Sequence, residues 1–184
     1  MAQIRLHLPL TREALAPLRA GDEVLISGDL YTARDAAHKR LVQCLQDGQP
    51  LPFDVRGQLI YYVGPPPASP GHAVGAAGPT TSYRMDAYTP ALLDAGLLGM
   101  MGKGKRSPAV IESMVRHGAV YFGAVGGAAA LISRHITHSE VVAYPDLGAE
   151  AVHRFTVVDF PALVIIDSLG QNLYEIGPRQ YCEE

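Results

Sequence analysis

Residues 23–48 read EVLISGDLYTARDAAHKRLVQCLQDG, a strand-type run that gives way to a helix-type run within one short unit. Val24, Leu25 and Ile26 form a continuous apolar stretch, which suits a short buried strand ending at Gly28. Further on, Ala37, Leu41, Cys44 and Leu45 recur at i, i+4, i+7 and i+8, one face of a helix, and Gly48 closes it. Asp29, Tyr31, Thr32 and Arg34 lie at the junction. The same alternation runs through all 184 residues, enough for one domain over 1–184 with a full core, and it favours an α/β class.

The other segments follow the same logic. Ile4, Leu6 and Leu8 alternate with Arg5 and His7 as an opening strand, and Thr11 caps a short helix holding Leu15 and Leu18 and closed by Gly21. A loop is expected at 49–57 and an apolar strand at 59–63. GPPPASPGH, 64–72, reads as a rigid extended surface loop, followed by a small-residue strand at 73–77. Met85, Tyr88, Leu92 and Leu93 are helical in spacing; Pro90 places the regular start nearby and Gly96 ends it. Next comes a strand in LLGMM, then a helix capped by Ser107 with Pro108 at its first position, carrying Ile111, Met114 and Val115 and ended by Gly118. A strand at 119–122, the run GAVGG and the helical AAALISRHI follow. Strands are expected at 140–144, 154–158 and 162–167, with a further one at 172–176.

Several function classes are excluded by composition. A formal charge of −3 gives no overall pull toward nucleic acid or an anionic membrane. No stretch reaches the ~18 apolar residues of a membrane helix, and MAQIRLHLPLT lacks a signal-peptide core. Cys44 and Cys182 match no disulfide framework and no Cys-x-x-Cys motif, which favours a cytoplasmic location. Two thiols cannot supply the three or four ligands of an iron–sulfur cluster. His135 and His138 lack a carboxylate-rich partner set, so no metal site is expected from this chain alone.

Polar clusters recur at strand ends: after Gly28, Ala77, Met101 and Phe122. In open α/β sheets ligands lie beyond the carboxyl ends of strands, and these junctions suggest one shared anionic site. Each residue has two readings. Arg34, at a helix start where cations are unfavourable, either pairs with Asp35 or a nearby carboxylate or grips a ligand carboxylate with its fork. Thr80 and Thr81 either cap the next turn or bring a hydroxyl to proton transfer, a role that needs strong neighbouring electrostatics. Arg84 is a second candidate clamp, and Asp86 either orients it or caps a helix. Lys103, Lys105 and Arg106 form either a solvated basic turn or a source of positive charge for substrate; the glycine spacing is not that of a Walker motif. GAVGG either offers backbone amides to an anion or allows a helix to pack closely on a strand. His38, one turn after Arg34, faces the same mouth or the surface.

The stretches GDEVLISGDLYTARDAAHKR, GPTTSYRMDAY, GMMGKGKRSP and VYFGAVGGAAALI, in that order and covering nearly the whole chain, resemble the beta subunit of the class I fumarase and L(+)-tartrate dehydratase family. The resemblance implies a swivelling β/β/α domain with a mixed sheet and flanking helices. It implies a hydro-lyase half that dehydrates a hydroxy-dicarboxylate, malate/fumarate or tartrate/oxaloacetate, within a hetero-oligomer. A partner alpha subunit would hold the [4Fe-4S] cluster through three cysteines, leaving one iron open as a Lewis acid. By this analogy Arg34 and Arg84 grip carboxylates, Thr81 lies with them, Lys103 adds positive charge, Thr80 is the proton-transferring base, and Asp35 and His38 support Arg34. Two departures stand out: Gly-Lys-Arg-Ser replaces Gly-Asn-Arg-Ser, so that Lys105 competes with Lys103 for the lysine role, and Tyr83 stands where many relatives carry a small residue. The rival reading is a non-catalytic dicarboxylate-binding module or a diverged assembly subunit.

Overall fold

A computed structural model describes residues 4–68, 70–124 and 129–181. Among them are seven strands, β1 (Ile4–His7), β2 (Glu23–Thr32), β3 (Leu59–Tyr61), β4 (Gly99–Gly102), β5 (Val120–Ala124), β6 (Ile136–Ala143) and β7 (Val152–Ile166). The helices are α1 (Arg12–Leu15), α2 (Asp35–Gln46), α3 (Thr89–Asp94), α4 (Pro108–His117), α5 (Ala129–Ser133) and α6 (Leu173–Tyr181), with 3₁₀ segments at Ser82–Met85 and Pro145–Glu150. The fold is mixed α/β, as the alternating patterns predict. No helix among the described residues is long and apolar enough to cross a membrane.

Strand order is β1-β2-β3-β4-β5-β7-β6, with β7 also paired to β2. The neighbours from β1 to β5 are parallel, and β7 runs antiparallel to β2, β5 and β6. The ladder β2-β3-β4-β5-β7 therefore returns to β2 and closes on itself, which removes most free sheet edges. Side chains alternate between the two faces. Leu59, Tyr61, Met101 and Phe122 join Leu6, Leu30, Phe155 and Phe160 in one cluster drawn mainly from strands, which fills the ring. Ile60, Tyr62, Met100 and Tyr121 point the other way, against Leu41 of α2, Leu92 of α3 and Met114 of α4.

Local signals explain the helix ends. Thr11 Oγ1 accepts from the Ala14 amide, and Ser107 Oγ from the Val110 amide. Gly118 closes α4 in the left-handed region at φ 69°. The buried face of α2 is Ala37, His38, Leu41 and Val42. It is rotated from the expected stripe, and Cys44 and Leu45 are only half-buried.

Four expectations are corrected. β2 does not end at Gly28 but runs on to Thr32, because Gly28, at φ 119°, lets the register shift against β7 without breaking the strand. The stretches 154–158 and 162–167 belong to one strand, β7, which passes through the Asp159 bend (φ 49°) and keeps Pro161 opposite Leu25. Residues 172–176 open α6 instead of a strand, with Asn172 Oδ1 accepting from the Tyr174 amide. Residues 73–77 form no strand: the Gly75 amide donates to the Pro66 carbonyl, and a β-carbon at Gly75 would strike Pro66 and Pro67. Pro66 and Pro67 thus lie folded back onto this run.

Leu30→Ala inside the ring should cost about 3 kcal/mol in urea unfolding, within the usual range for a fully buried leucine. Leu131→Ala, at a residue 54% exposed, should stay within about 0.5 kcal/mol. Equal losses at both positions would contradict the burial of Leu30 inside the ring.

Candidate active site

Because β2 to β5 are parallel, their carboxyl ends share one rim, and the segments that leave it carry the predicted polar residues. Just beyond β3, the Tyr62 carbonyl accepts from the Thr80 amide at 2.6 Å. Just beyond β4, the Lys103 amide donates to the Thr80 carbonyl (3.3 Å), and the Ser82 amide donates to the Lys103 carbonyl (2.9 Å). Thr81 and Lys103 form an isolated parallel bridge. Backbone pairing therefore brings Thr80 and Thr81 beside Lys103. Gly102 makes this possible, since a β-carbon there would run into Ser82 Oγ and come within 2.8 Å of Tyr62.

The turn is held from below by hydroxyls. Tyr121 Oη donates to the Gly104 carbonyl (2.9 Å), so its remaining capacity accepts from Ser82 Oγ at 2.8 Å. The Gly104 amide donates to Tyr174 Oη at 3.1 Å. Lys103 and Lys105 are both exposed on this braced turn.

Arg106 is no part of a solvated basic turn. It is 5% exposed and pairs through Nε with Asp86 Oδ1 at 2.7 Å. Its Nη2 donates to Thr89 Oγ1 (2.8 Å) and its Nη1 to Tyr62 Oη (3.2 Å), while the guanidinium lies 5.3 Å from the Tyr62 ring centre and 5.1 Å from that of Tyr121. Burial alone would lower its pKa, but Tyr62 and Asp86 outweigh burial and the net direction is upward. The second oxygen of Asp86 accepts from the Ser107 amide at 2.6 Å. Asp86 therefore answers Arg106 and the start of α4, not Arg84. Arg84 itself is exposed in the 3₁₀ turn Ser82–Met85, two residues before Asp86, and has no ion pair among the described residues. Tyr83 beside it is 63% exposed.

Arg34 is the N-cap residue of α2, just past β2. Its Nε lies 3.0 Å from Glu150 Oε1 and 3.8 Å from Asp35 Oδ1. Its stem passes over Gly64, where an added β-carbon would come within 3.1 Å of Arg34 Cδ. His38 is fully buried, neither at an open mouth nor on the surface, because the inner face of α2 turns it edge-on toward Tyr62, ring centres 5.3 Å apart. Its Nδ1 is 2.8 Å from the Arg34 carbonyl. A carbonyl only accepts, so Nδ1 carries the proton, and Nε2 is left buried without a hydrogen-bond partner. Desolvation pushes the His38 pKa down to about 4, so the ring is neutral at pH 7.

Glu150, Tyr62, Ser82, Tyr121 and Tyr174 were not singled out in the sequence. The tyrosines read as core, and Glu150 lies more than a hundred residues from Arg34. Most of the glycine run, 125–127, lies outside the described residues, as does Cys182. Cys44 is half-buried with Sγ 3.8 Å from Tyr144 Oη, and among the described residues no group of three or more His, Cys, Asp or Glu could hold a metal ion. The two cysteines of this sequence do not fit a [4Fe-4S] cluster held by three or four thiolates.

The chain matches the family model described as Fumarase C-terminus over residues 1–177. It is 37% identical over 165 residues to Fumarate hydratase 2 of Leishmania major, covering 89% of this chain and 29% of the relative. It is 36% identical over 185 residues to Fumarate hydratase class I, anaerobic, of Escherichia coli (strain K12), covering 98% and 34%. Against the putative L(+)-tartrate dehydratase subunit beta of Methanocaldococcus jannaschii, identity is 34% over 172 residues, covering 90% and 88%. The chain thus spans about a third of the length of these fumarate hydratases but most of that beta subunit.

Asp86→Asn should destabilise the protein by about 3 kcal/mol in denaturant unfolding, because it leaves the buried Arg106 charge without its counter-ion. Adding Arg106→Met to that variant should recover part of the loss; no recovery would show that the pair is not the source. His38 has a folded-state pKa below its unfolded value near 6.5, so protons favour the unfolded chain. Stability should fall as pH drops from about 6.5 to about 4, by about 3 kcal/mol at most, and His38 should add no further loss below that. His38→Gln should flatten this slope in urea titrations across that range; an unchanged slope would remove His38 as its source.

Proposed function

Because the chain belongs to the Fumarase C-terminus family, we propose that it is the beta-type half of a hydro-lyase that reversibly dehydrates a hydroxy-dicarboxylate, malate/fumarate or tartrate/oxaloacetate. The observation that carries this reading is the backbone stitching of Thr80 and Thr81 to Lys103 at the rim where β3 and β4 end. It sets two threonines beside an exposed lysine along the backbone, on the same rim from which Arg34 emerges.

Removing a carbon-bound proton next to a carboxylate loads negative charge onto that carboxylate, so cations must meet it. Arg34 and Arg84 take the two carboxylates, each by a planar two-pronged fork. Lys103 adds a point charge where negative charge grows. Thr80 exchanges the proton; its hydroxyl is a weak base by itself and relies on the cations around it to lower the cost of the charged state. Asp35 and His38 act behind Arg34: Asp35 lies on its Nε side, and the His38 ring holds the Arg34 carbonyl. Thr81 fixes the register of the threonine pair against Lys103.

With two cysteines in this sequence, a [4Fe-4S] centre would come from a separate alpha subunit, in keeping with the relative named as a subunit beta. Its chemistry would be Lewis-acid activation of the leaving hydroxyl. The unpaired Cys44 accords with a cytoplasmic setting.

The purified chain alone should be nearly inactive, and anaerobic mixing with a three-cysteine alpha subunit should restore turnover in a panel of fumarate, malate and tartrate. Full activity of the chain alone would refute the two-subunit scheme. In the complex, Arg84→Lys should lower kcat/KM by about thirtyfold or more, roughly 2 kcal/mol, because a point charge cannot replace a bidentate fork. Thr80→Val should lower kcat with unfolding unchanged; an intact kcat would free Thr80 from proton transfer.

A further inference from the structure

Glu150 closes the 3₁₀ segment Pro145–Glu150, and two contacts clamp this segment onto α2. At the outer end, Arg40 meets Asp146 with both terminal nitrogens (2.9 and 2.5 Å), and its guanidinium lies 5.1 Å from the Tyr144 ring centre. At the inner end, Glu150 Oε1 approaches Arg34 Nε at 3.0 Å. Gly148, outside helical geometry at φ 60°, separates the two contacts, so each end of the segment meets the α2 side by its own ion pair.

The direction of approach matters. The closest atom of Arg34 to both Glu150 and Asp35 is Nε, the stem-side nitrogen. That nitrogen is buried and makes no aligned hydrogen bond, so Glu150 acts on it by charge. The terminal nitrogens make no hydrogen bond to the described residues. On the other side the stem is pinned by Gly64: a β-carbon there would lie 3.1 Å from Arg34 Cδ, 3.3 Å from Nη1 and 3.2 Å from the Ala149 carbonyl. Arg34 is thus wedged between the exit of β3 and residues 149–150, its side chain 27% exposed and its terminal nitrogens without a hydrogen bond to the described residues.

We propose that Glu150 is a positioning residue that braces Arg34 from its Nε side and so presents the open fork to a ligand carboxylate. This rests on the reading of Arg34 as a carboxylate clamp given above. The brace works through pre-orientation: a guanidinium already held in place loses less side-chain freedom when it binds. Glu150 is not a competitor that a substrate must displace, because its approach is to the stem side.

The test uses the chain assembled with its cluster-bearing partner. Succinate, a dicarboxylate with no hydroxyl to lose, reports binding by calorimetry, and turnover gives KM and kcat separately. Glu150→Gln should weaken succinate binding and raise KM by about tenfold while kcat stays within about twofold, the scale expected for coupled neighbours. Glu150→Asp should recover part of the affinity. In an Arg34→Lys background, Glu150→Gln should add no further loss, because the group it orients is gone. Unchanged or tighter succinate binding in Glu150→Gln, or an equal loss in both backgrounds, overturns the brace while leaving the hydro-lyase reading intact. A wild-type complex that binds no dicarboxylate overturns both.

Discussion

The Arg106–Asp86 pair is the interaction on which the rim depends. One guanidinium, almost without solvent, touches Tyr62 just past β3, Met100 of β4 and Thr89 at the start of α3. Its carboxylate partner ends the 3₁₀ turn that bears Arg84 and also receives the first amide of the segment opening α4. A buried ion pair contributes little net stability, since desolvation offsets most of its attraction. Its value here is registry. Arg106 stands three residues from Lys103 and Asp86 two from Arg84, so the salt bridge reinforces the placement that backbone pairing gives the two segments.

The molecule separates charges by role. Arg106 is buried and fully answered by hydrogen bonds, an anion and aromatic faces. Arg84 and Lys103 stay exposed, so water solvates their charge. Arg34 is intermediate, half covered and leaning on a carboxylate at its stem.

Much of the architecture was legible in the chain. The caps at Thr11 and Ser107 and the closing glycine at 118 act locally, and they appear where the sequence puts them. The recurrence of polar clusters after apolar strands predicts the shared rim. What escaped was non-local. Gly28 looks like a stop but serves as a bulge, because its partner strand lies far along the chain. Asp159 and Pro161 look like a break, yet β7 continues because both flanks find partners. Arg106 resembles its exposed neighbours Lys103 and Lys105 in every local respect; only the approach of Asp86 and two tyrosines makes it internal. His38, one turn after Arg34, reads as facing either the mouth or the surface, but the rotated α2 face buries it.

β7 is what closes the ring, and it does so by pairing Glu23 with Leu163 and Tyr121 with Ile166. During synthesis, β2 and β5 emerge from the ribosome long before this strand does. Until then the nascent parallel array carries two open borders lined with unsatisfied amides and carbonyls. Such borders recruit other chains, and pairings between distant stretches of sequence form slowly. The chain therefore has a vulnerable interval built into its topology, which ends when residues 152–166 fill the gap.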